Sequence, residues 1–258
     1  MSLRLFFVAG WRSHLALFRW VRPSAFIPTV LCVPVVQLLW FVHLGRYLGT
    51  HPVAYYAVGN AVHGCAMAGL FAPAMSVQGE RTGGTLSAVL ATPASNAVMF
   101  AGRIVPAVAT GFLTSTVLFV VSTAAGAVRM PAGAVPPLIA AVLLSAVSTS
   151  CCGLLVGAFG LIAREATLLA NLVLYSMLLL CGVNVPVDRL PGWLQPVSAV
   201  MPMTHGLEAA RRALSGAPDV TTLLCWELGK AAVLLCLALI ALRCLEFAGR
   251  RGAVLDTA

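Results

Sequence analysis

The stretch PLIAAVLLSAVSTSCCGLLVGAFG, residues 137–160, runs for 24 positions without a charged side chain. At 1.5 Å per residue, a helix of this length covers the roughly 30 Å hydrocarbon layer of a bilayer. The rest of the chain has the same character: 60% of its 258 residues are hydrophobic, 9% are charged, and its mean hydropathy is +0.96. A soluble domain is nearer half apolar and a quarter charged. The sequence therefore predicts an integral membrane protein.

Five further apolar runs match this stretch in length, and four of them also lack charged residues. We predict an all-α integral membrane protein with six transmembrane helices in a single domain, residues 1–258, and the spans are 24–44, 53–77, 104–125, 137–160, 167–187 and 222–242. Only the last run contains charged residues, Glu227 and Lys230, near its beginning. Their spacing of three residues favours a local ion pair over a path for ions.

The distribution of arginine indicates the orientation. Six spans place both termini on the same side of the membrane. If that side is the cytoplasm, ten arginines lie inside and five lie outside, which agrees with the positive-inside bias. We therefore predict a multi-pass protein of the cell's inner (plasma) membrane, with a cytoplasmic tail at 243–258. The net charge of +8 fits anionic lipid headgroups more simply than nucleic acid, and no nucleic-acid partner is expected.

The N-terminal residues 1–22 carry arginines at one side of a helical projection. Arg4, Arg12, Arg19 and Arg22 fall within an arc of about 80° at 100° per residue. This pattern predicts an amphipathic helix that lies in the inner headgroup layer. An irregular basic tail is the alternative.

The segment between spans five and six, residues 185–216, is too long for a tight turn and too apolar for a solvated loop. Four prolines divide it into short pieces. We predict two short re-entrant helices that dip into the outer face of the membrane. Backbone at that depth is tolerated only where it packs against protein or lines a wet cavity.

The stretch QGERTGGTLSAVLATP, residues 78–93, is a polar interruption between spans two and three. Apolar residues occupy the i, i+3 and i+4 positions of a short amphipathic helix, at Leu86, Val89 and Leu90. Pro93 favours its end nearby. We predict a short, rigid, partly polar projection on the cytoplasmic side that docks into a groove on a soluble partner.

Two motifs carry a resemblance to a known family. The order Glu80-Arg81-x-x-Gly84-Thr85-Leu86-x-x-x-Leu90-x-Thr92-Pro93 resembles the coupling-helix region of ABC-2 type permeases, the membrane subunits of type V ABC exporters. A later stretch is similar to the second marker of that family, which precedes the last span, and its characteristic residues here are Pro191, Trp193, Pro202, Glu208 and Arg211. Both motifs lie in the expected gaps between spans.

The resemblance implies a separate nucleotide-binding ATPase subunit, which binds ATP and Mg and docks on the coupling region. It also implies a second permease subunit, either another copy of this chain or a sister. The chain has no G-x-x-x-x-G-K-[ST] sequence, so we expect no catalytic residue and no bound cofactor in it. His43, His63 and His205 lie in separate segments, and no metal site is expected.

In this family spans two and five line most of the cargo path. By that resemblance the candidates for the path are Asn60, His63, Asn171, Tyr175 and Met177. The alternative for each is an ordinary contact between helices, where hydrogen bonds are common.

The expected function is therefore that of a permease subunit of an ATP-driven exporter. The apolar spans favour a hydrophobic or amphipathic cargo, a drug or natural product, as in drug efflux and antibiotic resistance. Export of a lipid-linked glycan is one alternative, and an ATP-independent channel or secondary carrier is another. A carrier would be expected to show repeated halves with broken helices. A scaffold without transport activity is a further alternative.

Overall fold

The structure, a computed structural model, describes residues 31–82, Gly84, 96–163 and 165–255. Within these ranges the chain forms nine α-helices and no β-strand, which confirms the all-α prediction for the described residues. The helices are α1 Val33–Leu48, α2 Val53–Thr82, α3 Asn96–Gly102, α4 Ile104–Ala124, α5 Val135–Ala163, α6 Ala166–Leu180, α7 Gln195–Val200, α8 Thr204–Ser215 and α9 Val220–Leu255. Two 3-10 helices, Ala132–Ala134 and Val187–Arg189, precede α5 and α7.

Three segments of the described chain are long and apolar enough to cross a membrane: Met99–Ala124, Ala132–Gly160 and Val220–Leu245. The apolar helices α1 and α6 are shorter, with 16 and 15 residues. These helices support a membrane protein. The count of six spans remains a prediction.

Helix α5 lies at the centre of the fold, where it packs against α2, α4, α6, α8 and α9. Small residues let its backbone approach α2 closely. A Cβ atom added at Gly153 would lie 2.8 Å from the carbonyl oxygen of Gly69 on α2, a distance that leaves no room for a side chain. The crossing of α2 and α5 therefore depends on glycine.

Several helix ends differ from the predicted boundaries. Helix α2 continues from the predicted span into the polar stretch and ends at Thr82, followed by Gly84 at φ +67°. A left-handed glycine shortly after the last turn is a common way to end a helix. Helix α6 ends at Leu180, seven residues before the predicted end at 187. Gly182, just after the last turn, takes φ +80°. Helix α9 extends past residue 242 to Leu255.

Some predicted features lie outside the described residues. These are the N-terminal helix at 1–22, the start of span one, and residues 85–95, which hold most of the predicted coupling helix. The re-entrant segment 185–216 is described throughout. It contains two helices, α7 and α8, and the first of them begins with Pro196 at its second position.

Candidate functional site

The carboxylate of Glu227 on α9 lies completely buried at the start of α8. It accepts hydrogen bonds from the backbone amides of Met203 at 2.6 Å and Gly206 at 3.2 Å. The hydroxyl of Ser148 on α5 donates to the same carboxylate. Lys230 forms an ion pair with it, with an N–O distance of 2.9 Å. Four donors from three helices therefore surround one buried acid.

The backbone at the start of α8 explains why an acid lies there. The first amides of a helix have no partner within the helix, and Met203, at φ +73°, supplies no capping side chain. Buried amides need a partner from the protein, and Glu227 supplies it. The predicted ion pair with Lys230 is present, but the link to α8 was not predicted.

Lys230 completes this arrangement on its other side. Its ammonium group donates to the carbonyl oxygen of Met201 at 2.7 Å. Glu227 and Lys230 of α9 therefore bind the chain on both sides of Pro202, which is itself buried. We call Glu227, Lys230, Ser148 and the backbone of 201–206 the outer clamp.

Arg211 of the second motif fastens the other half of α8. Its Nη2 atom donates to the carbonyl oxygens of Gly182 at 2.8 Å, Val183 at 3.1 Å and Tyr55 at 3.3 Å. The guanidinium lies 3.6 Å from the centroid of the Tyr55 ring. The Tyr55 hydroxyl also donates to Gly182, at 2.8 Å. One arginine thus joins α8 to the start of α2 and to the chain that follows α6.

Burial lowers the pKa of Arg211, but the ordinary value for arginine is so high that the side chain stays cationic.

Gly59 makes the contact between α2 and the chain after α6 possible. A Cβ atom there would overlap the carbonyl oxygen of Val183 and lie 3.0 Å from Nη2 of Arg211. The absence of a side chain at residue 59 therefore lets α2 approach the chain after α6.

The other residues of the second motif differ in exposure. Pro191 and Trp193 are exposed, the latter by 74%, whereas Pro202 is buried. Glu208 pairs with Arg212 at 3.0 Å, and no ion pair joins it to Arg211 among the described residues. The motif thus combines a surface ion pair with a partly buried arginine.

Two of the predicted path residues, Asn60 and His63, lie in the interior of the subunit, each 3% exposed. The Asn60 amide donates to the side chain of Asn184 at 2.8 Å and to the Tyr56 carbonyl at 2.9 Å. Gln37 of α1 lies 3.4 Å from Asn60 Oδ1 and from His63 Nδ1. These side chains form a polar cluster that connects α1, α2 and the chain after α6.

The predicted path residues of α6 lie apart from this cluster. Tyr175 is 60% exposed and Met177 is fully buried, so they point to different surroundings. Asn171 donates to the carbonyl of Thr167 one turn earlier, at 3.0 Å. The structure therefore does not bring the five candidates together within one subunit. Their role in a cargo path remains a prediction.

At the end of the fold where α2 finishes, Arg103 connects the start of α4 to the last turns of α2. It is 5% exposed, and its Nη1 donates to the carbonyl of Ser76 at 2.6 Å. The guanidinium also lies 4.6 Å from the centroid of the Phe100 ring. In the sequence, Arg103 is only one of the ten arginines on the predicted cytoplasmic side. Its burial depends on packing that no local pattern records.

The predicted coupling residues are described only in part. Glu80 and Arg81 lie in the last turn of α2, and Gly84 follows it and is exposed. Thr85, Leu86, Leu90, Thr92 and Pro93 lie outside the described residues. In the part of the chain that the structure describes, no group of three His, Cys, Asp or Glu side chains could hold a metal ion.

These features define a helical membrane protein in which buried side chains clamp the segment before the last candidate span. The family model described as ABC-2 type transporter matches residues 4–214. The chain belongs to this family, which confirms the resemblance found in the sequence. Its members are membrane components of transporters that normally pair with an ATPase subunit. None of the curated proteins compared with the chain matches it.

Proposed function

We propose that this chain is the permease subunit of an ATP-driven exporter, and that it moves a hydrophobic or amphipathic small molecule, such as a drug or natural product, out of the cell. The observation that carries this proposal is the family match over residues 4–214, which includes both motifs. The chain lies in the inner (plasma) membrane with both termini in the cytoplasm.

The partner in this proposal is a separate ATPase, which binds Mg and ATP and docks on residues 78–93. The shape of α2 supports it. A helix of 30 residues is about 45 Å long and exceeds the roughly 30 Å hydrocarbon layer. Its last turn carries Glu80 and Arg81, which suit a surface in water. Arg103 then ties this end of α2 to α4, so that movement of one helix would reach the other.

A second permease subunit, either another copy or a sister, would face this one. Helix α6 offers an apolar surface for the seam between them. Four of its side chains are each at least 60% exposed: Leu168, Leu172, Tyr175 and Leu179. They recur at intervals of three and four residues, which place them along one side of the helix. Such a surface supports an apolar cargo better than a glycan, although a lipid-linked glycan remains the second candidate.

An ion-driven carrier is less well supported. In the three candidate spans that the described residues form, Glu227 is the one carboxylate. It is occupied by two backbone amides, a hydroxyl and Lys230. An acid held by so many donors is poorly suited to exchange protons or sodium ions during a transport cycle.

The proposal can be tested by copurifying the full-length protein with the ATPase encoded next to it and measuring ATP hydrolysis in lipid nanodiscs. Glu80→Ala and Gly84→Ala are the test variants. Gly126→Ala is the matched control, because Gly84 and Gly126 are both exposed, at φ +67° and +65°, with nothing near a Cβ atom. We predict opposite sides of the membrane for these two glycines.

We expect the ATPase to copurify with wild type and with Gly126→Ala. Glu80→Ala or Gly84→Ala should release the ATPase or abolish the effect of the permease on hydrolysis. The proposal fails if no ATPase binds. It also fails if Gly84→Ala has the same effect as Gly126→Ala while Glu80→Ala behaves as wild type. In either case an ATP-independent carrier becomes the better hypothesis.

A further inference from the structure

A cavity of about 330 Å³ with several charged side chains in its lining lies at the end of the fold where α2 and α9 begin. The start of α2, the chain after α6, helices α7 and α8 and the start of α9 line it. Its volume lies near the lower limit for small-molecule sites and suits a ligand the size of a lipid headgroup. The lining includes Tyr55, Gly182, Asp188, His205, Glu208 and Arg211.

The charges around this cavity do not all neutralise one another. Arg212, which also lines it, pairs with Glu208 at 3.0 Å and lies 3.8 Å from Asp219. Two charged side chains of the lining, Arg211 and Asp188, form no ion pair with any residue that the structure describes. Among the described residues, the cavity wall therefore holds one cation and one anion that take part in no direct ion pair.

The position of Arg211 is fixed before any ligand arrives. Three carbonyl oxygens accept from its Nη2, and its guanidinium stacks on Tyr55. A partly buried cation held by neutral groups gains from a nearby anion, and a fixed side chain loses little entropy when it binds one. Asp188 is exposed, at the first turn of the 3-10 helix Val187–Arg189, where an ammonium group could reach it.

We propose that this outer cavity binds a zwitterion that carries a phosphate and a primary ammonium, with the phosphate beside Arg211 and the ammonium beside Asp188. The headgroup of phosphatidylethanolamine has this chemistry, and so does free phosphoethanolamine. The cavity lies where α2 and α9 begin and α6 ends, and lipid headgroups are expected at the ends of the spans that the sequence predicts. This inference does not depend on the transport function.

The test is native mass spectrometry of the full-length protein released from detergent with equal amounts of phosphatidylethanolamine and phosphatidylglycerol. Both lipids carry the phosphate, but only the first carries the ammonium. We expect wild type to retain more phosphatidylethanolamine. Asp188→Asn should reduce that preference about three- to fivefold, the size of one partly exposed charge pair.

Asp219→Asn is the matched control. It removes a carboxylate from the same side of the protein, but Asp219 contacts Arg212 and does not line the cavity. We expect its lipid preference to equal that of wild type. A wild-type protein without any preference, or an equal effect of the two substitutions, would overturn the proposal.

A parallel titration with free phosphoethanolamine distinguishes the two sources of the zwitterion. Binding that Asp188→Asn weakens and Asp219→Asn does not would support a soluble ligand of this chemistry. Retention of the lipid with no binding of the free compound would support the headgroup. If wild type binds neither compound, the cavity does not recognise this zwitterion.

Discussion

The backbone amide of Met203 donates a 2.6 Å hydrogen bond to the carboxylate of Glu227, 24 residues further along the chain. Helix α8 therefore begins against an acid that belongs to α9. Lys230 binds the carbonyl of Met201 from the same helix, and Ser148 adds α5. Because these contacts involve three helices, the outer segment is held as part of the span bundle and not as a surface loop.

Replacing Glu227 should damage the fold severely. Glu227→Ala leaves Lys230 without its ionic partner and two buried amides without an acceptor. Loss of one partner of a buried pair typically costs about 3–5 kcal/mol. We expect a loss of unfolding free energy in that range, measured by chemical unfolding in a mild detergent.

Glu208→Ala is the control for Glu227→Ala, since it removes a carboxylate whose side chain is 45% exposed and whose partner is Arg212. Exposed ion pairs contribute less than about 1 kcal/mol. Comparable losses for the two variants would mean that the outer clamp does not stabilise the protein.

Arg211→Lys should weaken the link between α8 and α2 although the charge is kept. An ammonium group cannot stack on Tyr55 as the planar guanidinium does, and it reaches fewer of the three carbonyl oxygens. Lost hydrogen bonds from a charged group suggest a decrease in stability of about 1.5–3 kcal/mol, which thermal unfolding in detergent would detect.

The adjacent substitution Arg212→Lys retains a surface ion pair with Glu208 and should change the stability by less than about 1 kcal/mol. The prediction is wrong if Arg212→Lys destabilises the protein as much as Arg211→Lys.

Gly59→Ala should separate α2 from the chain after α6, because the new methyl group overlaps the carbonyl of Val183. Forcing one more methyl group into a packed site typically costs about 1–3 kcal/mol. Gly229→Ala is the matched change in α9, where nothing lies within 4 Å of the added atom. It should be neutral or stabilise the helix by up to about 1 kcal/mol. Opposite signs of the two melting-temperature shifts would agree with the structure, and equal shifts would not.

Arg103→Met should disturb the inner end of the molecule. The variant keeps an apolar side chain next to Phe100 but removes the donor to the Ser76 carbonyl. In a complex with the ATPase, we expect the permease to lose its effect on ATP hydrolysis, because α2 and α4 would move less closely together. The assay is hydrolysis by the copurified complex in nanodiscs.

Arg129→Met serves as the control for Arg103→Met, since Arg129 is exposed in the chain between α4 and α5. Its hydrolysis should match wild type. If Arg103→Met also matches wild type while remaining folded, the contact with Ser76 has no part in coupling.

Local features of the sequence predicted the long helices well. The charge-free stretch at 137–160 lies within α5, and the proline-rich segment before the last span holds the short helices α7 and α8. These elements follow from hydropathy and proline spacing, which each segment carries by itself. Their ends were less predictable, since a glycine such as Gly182 stops a helix only if the chain turns there.

The contacts of the site could not be predicted in the same way. Glu227 was visible as a charge in an apolar run, but its partners Met203 and Ser148 lie 24 and 79 residues away. Gln37 and Asn184 gave no signal in their apolar surroundings, and both reach Asn60 only because α1 and the chain after α6 pack against α2. Such pairings depend on the packed arrangement of helices.

The close crossing of α2 and α5 gives α2 the mechanics of a lever. Gly153 of α5 packs closely against α2 at Gly69. Gly69 lies 16 residues from Val53 and 13 residues from Thr82, so the two arms of α2 on either side of it are about 24 and 20 Å long. With the crossing as fulcrum, a swing of the arm that ends at Thr82 moves the arm that begins at Val53 by a similar distance in the opposite direction. The arm that begins at Val53 carries Tyr55, which contacts Arg211. A force on the arm that ends at Thr82 would therefore displace the wall of the cavity.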